Sequence, residues 1–240
     1  MYLQTFLDEL SYGELAGLYI STNLPTAGIL TVDHRRILSL MNNGLLDMYS
    51  RIMMKEKEFD LYQRADRTLY PIRTTYMGDP NAGNDDIFID NTGDDPPAGD
   101  IIRWLEAYDA DGNEVFIDSP GHPYDLFTTE YDVLKITQQD DVDVRIISLV
   151  YQAAYPKIDF TDDIDMETFE LDFPLYIARA LRLYVASFMY SGKANKSTEK
   201  GSLSSQFLYQ YETEIHKIQS LGLVPDKENK NSSFENNRWV

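Results

Sequence analysis

Apolar residues recur at helical spacing near both ends of this 240-residue chain, while its middle carries short apolar runs between turn residues. That change of period, from about 3.6 to 2, constrains the fold most, because each period commits a segment to burying its side chains on one kind of surface. Near the start, Leu3, Phe6, Leu7, Leu10, Leu15, Leu18 and Tyr19 suit one or two short helices broken near Gly13. Thr31 suits the N-cap of a stronger helix, with Asp33 in the first turn, where the helix dipole favours an anion. Ile37, Leu38, Met41, Leu45, Met48, Tyr49 and Ile52 continue the spacing, and Lys55 and Lys57 fall where cations are favoured. A continuous helix from Thr31 to Glu58 is therefore expected, about 42 Å long at 1.5 Å per residue. Gly44 in its middle weakens it by about 1 kcal/mol relative to Ala.

From Phe59 to Phe160 the texture is that of β-structure. Strands are expected at Leu69–Thr75, Ile87–Ile89, Tyr131–Ile136 and Val144–Tyr151, with Arg145–Tyr151 the best candidate for a central one. Trp104–Tyr108 and Glu114–Ile117 flank Asp109-Ala110-Asp111-Gly112-Asn113, which reads as a hairpin turn. Helical spacing returns at Asp172 and Pro174, with a stripe of Phe173, Ile177, Ala178, Leu181, Tyr184, Val185 and Phe188 ended by Gly192. A second stripe, Leu203, Phe207, Tyr211, Ile215 and Ile218, is closed by Gly222 and Pro225. The remainder, Val224–Val240, is too polar to bury a core but ends in Phe234, Arg238, Trp239 and Val240, groups able to anchor on a partner. The expected fold class is α+β: a helical core, made of a long N-terminal helix and a C-terminal αα-hairpin, with a β-rich inserted domain and an extended C-terminal tail. The expected boundaries are 1–58 for the N-terminal helical segment, 59–171 for the β-rich insert, 172–223 for the hairpin and 224–240 for the tail.

Charge narrows the partners. Asp and Glu total 40 against 21 Lys and Arg, a formal net charge of -19. Tight DNA binding needs cations that replace condensed counterions, so a surface this acidic repels phosphates, and it disfavours an anionic membrane as well. With no cysteine there are neither disulfides nor thiolate metal sites, which fits a reducing cytosol. Residues 1–10 lack a basic n-region, so no signal peptide is expected, and no apolar run approaches the ~20 residues that span a bilayer. The 17 tyrosines fit a β-rich core or a protein–protein interface.

No motif assembles a catalytic or metal site. An EF-hand frame with Gly112 sixth puts Ala107, which has no ligand, in first place, and its neighbours look like strands. His34, His122 and His216 match no paired-histidine spacing. Clusters at Asp85-Asp86, Asp94-Asp95, Asp140-Asp141-Asp143 and Asp162-Asp163-Asp165 could hold Mg²⁺ for a nuclease, but in so acidic a chain they read as solvated loops. Nucleophile elbows, phosphate loops and dinucleotide fingerprints are missing. No enzyme, cofactor or metal is expected.

Three stretches carry a resemblance: Leu10-Ser11-Tyr12-Gly13-Glu14-Leu15 with the helix ending near Lys57; Phe173-Pro174-Leu175-Tyr176-Ile177-Ala178-Arg179-Ala180-Leu181 with Tyr184-Val185-Ala186; and Tyr211 through Ile218-Gln219-Ser220-Leu221-Gly222-Leu223. Together, over roughly half the chain, they resemble the head-to-tail adaptor, or connector, of tailed bacteriophages, closest to the tubular adaptors of short-tailed phages. The resemblance implies a virion protein made in the host cytoplasm and placed at the head–tail interface. About a dozen copies would form a ring below the portal, bind the portal and a tail-tube or nozzle protein, and pass DNA in transit during ejection, with no membrane partner. It also implies that the tail reaches the portal, which carries over to Phe234, Arg238, Trp239 and Val240. The alternative is another neck, tail-tube or tail-completion protein.

Overall fold

The computed structural model describes residues 1–16, 31–64, 67–84, 86–91, 97–119, 126–130, 132–136, 144–159, 165–194 and 198–221. The chain divides into two compact units, one of Met1–Ile52 with Lys157–Val240 and one of Met53–Pro156.

In the first unit, α1 (Leu3–Tyr12) buries Leu3, Phe6, Leu7 and Leu10 on one face and stops at Gly13. Backbone bonds from Leu3 and Gln4 N–H to the carbonyls of Phe169 and Met166 satisfy its first turn. Helix α2 (Thr31–Arg51) buries Ile37, Leu38, Met41, Leu45, Met48 and Tyr49. Helices α3 (Leu175–Ala194) and α4 (Thr198–Ser220) pack antiparallel: Tyr190 meets Phe207, Ser204 donates to the Ser187 carbonyl, and Tyr184 meets Tyr211. Helix α3 is covered on more than one side. It buries Ile177, Ala178, Leu181 and Val185 of the expected stripe and also Ala180, Leu183, Ala186, Met189 and Tyr190, but leaves Phe188 of that stripe exposed, and it runs through Gly192 instead of ending there.

Among the described residues the second unit holds eight strands: β1 (Glu56–Arg64), β2 (Leu69–Pro71), β3 (Met77–Gly78), β4 (Ile89–Asp90), β5 (Ile101–Asp109), β6 (Leu126–Glu130), β7 (Val133–Ile136) and β8 (Val144–Ala153). They form a five-stranded sheet in the order β3-β4-β1-β8-β5 and a three-stranded sheet in the order β2-β7-β6. Between them lies a core of Phe59, Leu61, Tyr70, Phe88, Leu126, Leu134, Ile147, Leu149 and Tyr151, with edge-to-face ring pairs Tyr70–Phe88 and Phe59–Tyr151.

The expected fold class is overturned. The chain is a mixed α/β protein with four helices and two sheets among the described residues, largely β-rich, with no core built on a long N-terminal helix. Helix α2 has 21 residues, about 32 Å, and ends at Arg51, since Glu56 already opens β1. The reason is the period-2 set Lys57, Phe59, Leu61 and Gln63, which buries one face of β1. Lys57 is therefore not a helix-end cation. Its ammonium is buried and meets Asp100 Oδ2 at 2.9 Å, while Tyr151 OH donates to Asp100 Oδ1 at 3.0 Å. The strand expected at Leu69–Thr75 stops at Pro71 and gives way to a 3-10 turn, Thr74–Tyr76. The extended tail of the expected fold class falls outside the described residues.

Gly44 also changes meaning. A Cβ there would lie 2.7 Å from Tyr184 Cδ1 and 2.8 Å from Leu181 Cδ1, so the glycine lets α2 approach α3. Gly44→Val is expected to lower stability by about 1–3 kcal/mol by overpacking this contact, despite removing a glycine from a helix. Asp100→Asn strands the buried Lys57 ammonium and is expected to cost about 3–5 kcal/mol, whereas the Lys57→Met/Asp100→Asn pair costs clearly less. Urea unfolding measures all three variants.

Candidate interaction surface

The portal-anchor residues expected from the sequence, Phe234, Arg238, Trp239 and Val240, lie outside the described residues. So do His122 and, within the acidic clusters, Asp85, Asp94, Asp95, Asp140, Asp141, Asp143, Asp162 and Asp163. The described members are engaged locally. Asp86 meets Arg67 at 3.5 Å, and the Asp165 carboxylate accepts the Glu167 N–H at 3.1 Å. His34 lies on α2, half-buried, and His216 on the exposed side of α4. Among the described residues no grouping of three or more His, Cys, Asp or Glu could hold a metal ion, and no helix is long and apolar enough to cross a membrane.

The Asp109–Asn113 segment is a tight turn. The Asp109 N–H donates to the Asn113 carbonyl at 2.9 Å, and Gly112 takes φ +80°, a left-handed conformation that favours glycine. The Asp109 carboxylate accepts the N–H groups of Asp111 and Asn113 at 3.0 and 2.9 Å. Burial alone would raise its pKa, but these bonds and the Arg145 charge bring it below the usual value. Its oxygens serve the turn itself. Beyond the turn, residues 114–117 form only single bridges, Tyr108 with Glu114 and Ile117 with Leu126, where a full hairpin strand was expected.

Those bridges bring an edge of each sheet together. β5 ends the five-stranded sheet and β6 ends the three-stranded one. An open cleft of about 450 Å³ lies between them, lined by Ile102, Arg103, Trp104, Ile117, Asp118, Thr128 and Glu130. Register shifts near Arg103 and Trp104 disturb β5 there, as bulges do at sheet edges. Asp118 stands at φ 52°, unusual for a residue with a side chain. Its carboxylate holds the conformation by accepting the Thr128 N–H at 2.8 Å and the Thr128 hydroxyl. The Trp104 ring packs against Phe59 and Tyr151, and its buried Nε1–H has no acceptor among the described residues. Sequence reasoning missed this surface because its residues come from three separated segments. The signal within reach was the apolar Ile101-Ile102 and Trp104-Leu105 run beside an exposed Arg103.

The helical unit presents a different surface. Leu175 is 73% exposed and Tyr209 74%, with Tyr176, Phe188, Leu208 and Leu221 also exposed. On the other side of α4, Tyr211 is buried and donates to Asp47 Oδ2 at 2.5 Å, while Arg51 bridges Asp47 at 3.2 Å and Glu212 at 2.7 Å. Burial and the Asp47 bond push the Tyr211 pKa up. One face of α4 is thus fixed to α2 by charge-assisted bonds, and Tyr209 on the opposite face is left uncovered. Comparison with models of known protein families and with curated proteins finds no match.

Tyr108 gives a direct check on the β5 end of this region. Its hydroxyl donates to Glu106 Oε2 at 2.6 Å, and that bond, with burial and the charges of Glu106, Glu114 and Glu58, pushes its pKa up to about 12. A folded pKa above the ordinary value of about 10 means that the bond contributes fully below pH ~10 and is lost as the pH rises toward ~12. Tyr108→Phe is expected to remove the phenolate absorbance that appears near pH 12 and to flatten the loss of stability over that window. Ultraviolet difference titration reads the first effect and urea unfolding at each pH the second.

Proposed function

We propose that this chain is a non-enzymatic structural virion protein of a tailed phage, which forms a ring below the portal, joins the capsid to the tail and continues the DNA channel. The observation that carries the reading is the set of large apolar side chains left exposed on α3 and α4, Leu175, Tyr176, Phe188, Leu208 and Tyr209, in a chain otherwise rich in charge. Apolar groups in such number on consecutive helices are what a surface covered by other subunits presents. Two of the three stretches that resemble head-to-tail adaptors overlap these helices, residues 173–186 with α3 and residues 211–223 with α4. A charge of -19 per copy, multiplied around a ring of about a dozen, gives a wall along which DNA slides without sticking. The partners are neighbouring copies, the portal and a tail-tube or nozzle protein, and the protein's place is the head–tail interface of the virion. Phe234, Arg238, Trp239 and Val240 are the proposed portal anchors.

Co-sedimentation with the portal ring of the same genome tests this, using the full chain and a version ending at Leu223. The full chain is expected to travel with the portal and the short one to stay behind. If both travel, the anchor lies in the folded body and the four tail residues lose their role. If neither travels, the adaptor reading falls and a tail component becomes the better assignment.

A further inference from the structure

We propose that the cleft between β5 and β6 receives the β2 edge of a second copy, residues 67–73, in a head-to-tail contact. This deepens the ring assembly proposed above and depends on it.

Two features define what the cleft accepts. Its lining combines apolar surface from Ile102, Trp104 and Ile117 with the carboxylates of Asp118 and Glu130, against one arginine, Arg103. The fitting occupant is an extended, apolar and basic edge.

The β2 edge has those properties. From Arg67 to Gly78 the chain carries two arginines and no acid, although the whole sequence contains 40 acidic residues. Leu69 stands 50% exposed on β2, the outer strand of its sheet. Arg73 lies beside it with its guanidinium more than half exposed while it meets Asp132. Leu69 can fill the apolar floor while Arg73, whose side chain is the more exposed of the two arginines, faces Asp118 and Glu130.

The positions of the two surfaces also matter. β2 and β6 are opposite edges of the three-stranded sheet, with β7 between them. A contact joining β2 of one copy to the β6 side of the next is heterologous, and repetition of such a contact closes a ring or extends a filament; it does not stop at a two-fold dimer. Strand spacing puts β2 about 10 Å from β6 within one copy. That is too far for the same edge to fill its own cleft without breaking the sheet.

The absence of cysteine makes the test clean. Leu69→Cys and Arg103→Cys are introduced into the full chain singly and together, oxidised with and without the portal ring, and run on non-reducing gels. A lone cysteine links at most two chains. Only the double variant can give a ladder of trimers and larger species, and where neither single variant forms a dimer the ladder requires residue 69 of one copy to meet residue 103 of another within disulfide reach. The expected result is a ladder from the double variant alone. Co-sedimentation with the portal but no ladder overturns the β2-in-cleft contact and leaves the adaptor reading standing. A ladder without co-sedimentation supports the contact and sinks the adaptor reading. Neither ladder nor co-sedimentation removes both.

Discussion

Strands β1 and β8 pair without interruption from Glu56 opposite Gln152 to Arg64 opposite Val144. This antiparallel ladder is the constraint on which the second unit depends. It joins residues some ninety apart in sequence, so the intervening chain must return to both flanks of the pair. β4 then adds to β1 on one side and β5 to β8 on the other. The register sets the inward faces: Phe59 lies opposite Leu149 and Leu61 opposite Ile147, and all four are buried. A slip of one residue would turn Asp60 and Glu58 into the core, which their desolvation forbids. At the end of the same ladder Lys57 reaches Asp100, so the buried ammonium is met by a carboxylate that in turn accepts the Tyr151 hydroxyl.

The helical unit is organised by close approach. Gly44 allows α2 to sit directly on Leu181 and Tyr184 of α3, and Tyr184 in turn stacks edge-on to Tyr211 of α4. Polar bonds finish the arrangement: Arg51 and Tyr211 converge on Asp47, and Arg182 of α3 reaches Glu9 and Glu14 at the α1 end. Asn42 pairs with both backbone groups of Ile158, holding the chain that returns from the β-rich unit. With α3 enclosed in this way, the uncovered apolar residues are Leu175 and Tyr176 at its start, Phe188 further along, and Leu208 and Tyr209 on α4. That distribution supports a role in which other subunits complete the surface.

Several elements were legible from residue spacing because one local pattern decided them. The Arg145–Tyr151 run does form an interior strand, β8, and Tyr211, Ile215 and Ile218 do mark the buried side of α4. The Asp109–Asn113 turn followed from Asp, Gly and Asn, whose backbone and side-chain preferences act within five residues. The end of α2 was misread because Lys55 and Lys57 satisfy a helix-end pattern as well as they satisfy a strand start. The cleft was not legible at all, since Trp104, Asp118 and Thr128 meet only after two sheets have formed.

The sequence by itself determined the periodicities, the turn chemistry and the strongly acidic balance, all of which depend on neighbours along the chain or on a simple sum. Tertiary structure decided where α2 stops, why Gly44 is a glycine, that Lys57 is a buried ion-pair member, and which two sheet edges enclose a cleft. The first three depend on partners more than forty residues away and the cleft on segments that meet only once both sheets have formed, and burial against such partners outweighs local propensities worth about 1 kcal/mol or less per residue.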